Sequence, residues 1–222
     1  MPADPSTTER SDAPARPTGR EEVREAVLAA AARRFAAEGP HASLRDIAAD
    51  ADVNLGLIHR HFGNKDDLLR AVLQHIVRSG TAEISREPDA PSALRRIFEG
   101  STQDGRYVRI IAWLLLERGA EVREQDEYPG MTALRAMVAR DDPTSSAAGE
   151  GGDTPRAEDP DAPTAEDRLM AAMATIYGWA VFGPQVLASF GRTPQERAAV
   201  ERRIARLVEE LATEPGGSRA TG

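Results

Sequence analysis

The run from Ser43 to Lys65, SLRDIAADADVNLGLIHRHFGNK, constrains this chain most, because it spells two short helices across a tight turn. Ser43 with Asp46 three residues on has the pattern of a capping box, so a first helix starts at Leu44. Leu44, Ile47, Ala48 and Ala51 then recur at helical spacing, with Arg45, Asp46, Ala49 and Asp50 on the other side. Asp52 and Val53 make the turn, and Asp tolerates the left-handed conformation such a turn often needs. Asn54 caps the next helix, whose inner face is Ile58 and Phe62. Gly63 and Asn64 break that helix, and Asn64 with Asp67 forms another capping box. Two helices of this length joined by a short turn present the second one to a DNA major groove, where a helix just fits.

With REEVREAVLAAAARRFAAEG before it and KDDLLRAVLQHI behind it, this run resembles the tetracycline-repressor (TetR) family of bacterial regulators over residues 20 to 79. The RDIA segment, a Gly inside the second helix, the H-F pair and the N-K-D-D-L-L restart all fall in register. The resemblance implies an all-α fold, with an N-terminal helix-turn-helix three-helix domain followed by a C-terminal helical ligand-binding and dimerisation domain. It also implies a repressor that binds double-stranded operator DNA as a homodimer and is released by a small-molecule effector. Carried over by position, Arg45 matches a base-reading Arg, and Leu55, Gly56 and Leu57 match the groove-facing start of the recognition helix. His59 falls where a phosphate-binding Tyr is usual, and Arg60, His61 and Lys65 match further DNA contacts. The two caps, Ser43 and Asn54, complete the expected DNA-binding set. Leu57 stands where the family often has Thr, and Asp52 where it has Gly.

Each of these residues also has an ordinary alternative. Arg45 on an exposed helix face is by default a solvated charge, and His61 before a core Phe can simply be packed. His59 and His61, two apart on a helix, point to different faces, so no metal site is expected. Lys65 is the sole lysine of a chain that otherwise uses arginine. A compact ammonium at a helix start, with Asp66 and Asp67 satisfying the dipole, suits a single phosphate.

The net charge of −8 is unusual for a DNA binder, but its distribution matters more than its sum. Residues 1 to 79 hold 11 Lys plus Arg against 12 Asp plus Glu, or −1, which leaves −7 for the remainder. A near-neutral head with a basic edge still binds through the few phosphates it touches, with steep salt dependence. The chain has no cysteine, hence no disulfide framework or thiolate chemistry. No apolar run approaches membrane-spanning length, no signal-peptide core opens the sequence, and a cytoplasmic location is expected.

Residues 1 to 19 read as a disordered arm rich in Pro, Ser, Thr and Ala, in which Arg10 and Arg16 are candidates for a minor-groove contact. Thr18 with Glu21 is expected to cap a first helix with Val23, Val27, Ala30, Ala31 and Phe35 inward, ended by Gly39-Pro40. A fourth helix, Lys65 to Ser79, presents Leu68, Leu69, Val72, Leu73 and Ile76 and connects the domains. Residues 80 to 222 form the second domain. Its expected helices carry Leu94, Ile97 and Phe98; Val108 to Arg118, whose IIAWLLL centre is apolar all round and so predicted buried; and about Met131 to Arg140. Residues 141 to 165 are expected to be a disordered acidic loop; 141 to 167 hold nine acidic residues against one Arg. Thr164 with Asp167 opens a long helix bent at Gly183-Pro184, and Thr193 with Pro194 and Glu196 opens the last one. Following the family pattern, the helices at 164–190 and 193–213 form the homodimer seam as a four-helix bundle.

Phe98, Trp113, Met137, Met173, Tyr177 and Trp179 lie on helices that the resemblance places around the effector pocket, and an apolar or amphipathic ligand suits them. The same residues at helical spacing also suit a plain core. No cofactor is implied. No phosphate loop, H-E-x-x-H or paired-carboxylate motif supports an enzyme. A helical adaptor binding only protein accounts for the acidic charge, but not for Arg45, Arg60 and Lys65 arrayed around a helix-turn-helix. Binding to a random duplex with a steep salt slope separates the two.

Overall fold

The computed structural model describes residues 19–118, 129–141 and 162–213, and among these every regular element is helical. In chain order they are α1 (Arg20–Glu38), α2 (Leu44–Asp50), α3 (Leu55–Phe62), α4 (Lys65–Ile84), α5 (Ala90–Gln103), α6 (Arg106–Arg118), α7 (Pro129–Asp141), α8 (Ala165–Ser189) and α9 (Arg197–Thr213). Short 3-10 turns at Gly39–His41 and Pro194–Glu196 follow α1 and precede α9. The expected N-terminal arm and most of the expected acidic loop lie outside the described residues.

Local chemistry sets most of the helix ends. Asn64 and Asp67 cap α4 reciprocally, and Thr164 and Asp167 do the same for α8. α4 runs through Gly80 to Ile84, beyond the expected end at Ser79, and stops at the turn before Pro88. α1 is capped at Gly19, whose N–H donates to the Glu22 carboxylate, and the expected cap residue Thr18 lies outside the described residues. Pro194 and Glu196 form a 3-10 turn rather than the first turn of α9, though Thr193 and Glu196 make the expected box.

The first core surrounds α1. Val27, Ala30, Ala31 and Phe35 are fully buried there, with Ile47, Ile58 and Leu68 from the next three helices. Cutting Phe35 back to Ala would cost about 3 to 5 kcal/mol, the usual price of an aromatic cavity. Ile110 and Leu114 of α6 complete this core, so the second half of the chain is packed directly onto the first.

That packing corrects the expectation for α6. Its inner face is buried through Ile110 and Leu114, but Trp113 is 38% exposed and Leu116 83%. An all-apolar sequence predicts all-round burial, whereas only one face of α6 meets α1 and its neighbours. The second core joins α5, α7, α8 and α9 around Leu94, Phe98, Leu134, Ile176 and Val208. α8 is long and apolar enough, by length and composition alone, to cross a bilayer, contrary to expectation. Its charges crowd into the first turn, and Leu169, Ala172, Met173, Ile176 and Leu187 face the helical core. Phe182, Val186 and Phe190 face outward.

Candidate nucleic-acid interface

The turn between α2 and α3 is built as a corner. Asp52 has φ +51°, the left-handed conformation its short polar side chain tolerates, and is the one non-glycine residue with positive φ among the described residues. Val53 is buried behind the corner and donates its N–H to the Ala48 carbonyl at 3.0 Å. Asn54 Oδ1 then accepts from Leu57 N at 3.0 Å, which starts α3 cleanly. Ser43 Oγ accepts from Arg45 N at 3.2 Å, a first-turn amide of α2, so Ser43 caps the helix as expected while the box with Asp46 is not formed.

Ion pairs hold the corner in place. Arg34 on α1 forks onto Asp50 of α2, with Nε and Nη2 at 2.7 and 2.9 Å from its two oxygens, and Nη1 reaches Glu38 at 2.9 Å. The hydrogen bonds from Arg34 hold the Asp50 carboxyl below its ordinary range and raise the guanidinium in turn. Arg24, also on α1, lies 5.0 Å above the centre of the Phe62 ring and so supports the end of α3.

Around this frame the expected residues fall into two groups. Arg45, Gly56, His59 and Arg60 are exposed, and the side chains of Arg45, Arg60 and Lys65 make no ion pair among the described residues. Leu55, Leu57, His61 and Lys65 are half-buried. Leu57 packs against the first core, and the His61 ring sits 6.4 Å from that of Phe62. Gly56 leaves the first turn of α3 bare, and a Cβ there would come 3.2 Å from the capping oxygen of Asn54. His59 Nδ1 lies 3.0 Å from the Gly63 carbonyl oxygen. The bonds from Arg70 and from the backbone of Asn64 hold Asp67 below the usual carboxylate range, which keeps the start of α4 closed beside Lys65.

The expected effector residues divide differently. Phe98, Met137 and Met173 are buried in the second core, and Tyr177 and Trp179 pack partly exposed against it. Trp179 Nε1 points to Glu201 on α9 at 3.4 Å. Trp113 stands apart, its indole laid over Gly39 where α1 ends. An open hollow of about 550 Å³ lies elsewhere again, lined by Arg33, Ala36 and Ala37 of α1 with Asp104, Arg106 and Arg109. Neither the Arg34–Asp50 fork nor the Arg24–Phe62 stack was legible in the sequence, because both join residues far apart along the chain.

A helix-turn-helix with an exposed basic edge, backed by a second helical core, defines a DNA-binding regulator. The model of the bacterial regulatory proteins of the tetR family matches residues 27–72. The HTH-type transcriptional repressor Rv3405c of Mycobacterium tuberculosis is 35% identical over 87% of this chain and 93% of its own length. Among solved structures, SCO4942 from Streptomyces coelicolor aligns over 87% of this chain and 99% of its own with TM-score 0.56 and 21% identity. A HlyIIR mutant with an internal segment replaced by a GSSGSSG linker aligns over 89% of this chain and 99% of its own with TM-score 0.52 and 15% identity. The chain belongs to the TetR family of bacterial HTH-type transcriptional regulators.

Proposed function

We propose that this regulator is a homodimeric repressor that binds a palindromic operator and leaves it when a small apolar or amphipathic molecule occupies the second core. The observation that carries the DNA assignment is the set of exposed cations, Arg45 on α2 and Arg60 on α3, around a recognition helix whose first turn is bare at Gly56. Arg45 and the first turn of α3, Leu55 to Leu57, take the base edges; His59, Arg60, His61 and Lys65 take the backbone, with Ser43 and Asn54 holding the helix starts. Rv3405c is named a repressor, which favours repression over activation. The outward apolar face of α8, with Leu207 of α9, supports a seam formed by a second copy. Such a dimer sets two recognition helices roughly 34 to 36 Å apart, one turn of DNA.

The effector site proposed here lies among Phe98, Met137, Met173, Tyr177 and Trp179, with Trp179 as its reporter. Trp113, expected in the same set, reports instead on the joint between α6 and α1. Release requires the ligand to favour one separation of the reading heads, so operator DNA must weaken ligand binding by the same factor that ligand weakens DNA binding. Selection from a random duplex pool with the full-length protein tests the reading. It should recover inverted repeats with half-sites about one DNA turn apart, and recovery of unrelated sequences would contradict it.

A further inference from the structure

The end of α3 fixes one histidine in a single tautomer. Gly63 N donates to the His59 carbonyl at 3.0 Å, while the Gly63 carbonyl lies 3.0 Å from His59 Nδ1. A carbonyl oxygen only accepts, so Nδ1 carries the hydrogen in that contact. Gly63 is itself held, with φ +90° and a position at which a Cβ would lie 2.8 Å from the Asp67 carboxylate. The exposed ring therefore offers its other nitrogen, Nε2, to whatever α3 meets. In the neutral ring Nε2 has a lone pair and no hydrogen. A phosphate oxygen also brings only lone pairs, so the two cannot bond. The imidazolium keeps its bond to Gly63 and gains an Nε2–H, which makes a charge-assisted bond to phosphate.

We propose that DNA binding by this chain takes up one proton per reading head at His59, so that the operator is held more tightly at lower pH. The proposal rests on the DNA-binding assignment of α3. The charged groups on the elements around His59 are Arg60 and His61 of α3 itself, and Lys65, Asp66, Asp67 and Arg70 of α4. Arg45, Asp46 and Asp50 of α2, Asp52 of the turn and Arg24 of α1 complete them. Asp50 is committed to Arg34, and Asp67 to Arg70 and Asn64. Of this set only His61 is, like His59, an imidazole that can gain an N–H. The remaining histidines, His41 and His75, face Glu117 and Glu25 at 3.0 and 3.8 Å.

The test measures affinity for a duplex selected from a random pool, at fixed salt, from about pH 6 to about pH 8.5. Wild-type affinity should fall as pH rises, by up to about tenfold per reading head for each unit. H59Q donates from a neutral amide and should give a flat profile, and H59Y should be flat as well over this range. H61Q should bind more weakly and keep the wild-type slope. A flat wild-type profile with tight selective binding overturns the proton coupling and leaves the DNA assignment standing. A slope that survives in H59Q and vanishes in H61Q overturns it equally. Failure to bind any duplex selectively at any pH overturns the DNA assignment, and this proposal with it.

Discussion

At the residue scale, the roles proposed for Arg45 and Lys65 differ, and the difference is measurable. If Arg45 reads a guanine with both its terminal nitrogens, Arg45→Ala should cost about 1 to 3 kcal/mol and relax one position of the selected site. Lys65→Ala should weaken all duplexes alike and lower the salt slope by about one phosphate. Binding titrations at several salt concentrations check both, and unchanged affinity in both variants would remove these residues from the interface. Much at this scale was legible in the sequence, because the signals are local. The left-handed Asp52, the cap at Asn54 and the Asn64–Asp67 box each depend on residues within a few positions. Ser43 caps a first-turn amide, that of Arg45, but without the reciprocal bond from Asp46 that the S-x-x-D pattern suggests. The supports from α1, Arg34 to Asp50 and Arg24 to Phe62, depend on how helices cross in space, which no spacing along the chain encodes.

At the element scale, the joint between α1 and α6 links the reading head to the helices behind it. Gly39 has φ +66°, and a Cβ there would come 2.9 Å from the Trp113 ring. Gly39→Ala should therefore destabilise the protein by roughly 1 to 3 kcal/mol, through both the unfavourable backbone angle and the crowding. It should also shift Trp113 fluorescence, and thermal melts with emission spectra would check both. A melt and spectrum like wild type would show that α6 does not bear on Gly39. The sequence marked Gly39-Pro40 as the end of α1, but nothing in it said what would lie on top. The periodicity of IIAWLLL failed for a related reason: with every position apolar, no face is distinguished, and packing alone chose Ile110 and Leu114. α8 hides its outward stripe similarly, because Phe182, at 61% exposure, and Phe190, at 78%, look like core residues until the fold turns them out.

At the scale of the whole molecule, that outward stripe gives the proposed dimer its test. Phe182→Ser with Phe190→Ser should yield folded monomers by sedimentation, since neither ring supports the chain's own core. A dimeric double variant would place the seam elsewhere. Acid should loosen the fold in a defined direction. The partners of Asp50, Asp67, Asp89, Asp167 and Glu196 hold these carboxyls below their ordinary values when folded. The unfolded chain then binds more protons, so their contribution is complete above the ordinary carboxylate range near pH 4 and is lost as pH falls through the depressed values. Melting temperature should hold from about pH 7 down to about pH 5 and drop below about pH 4. The net −8 charge, which at first argues against nucleic acid, matters less than where Arg45, Arg60 and Lys65 stand. The most direct test of that claim compares the affinity of the full-length protein for its selected duplex and for a scrambled duplex across a salt series. The account predicts a preference of at least about a thousandfold for the selected site, with affinity for both falling steeply as salt rises. Equal affinity for the two duplexes, or no dependence on salt, would contradict it.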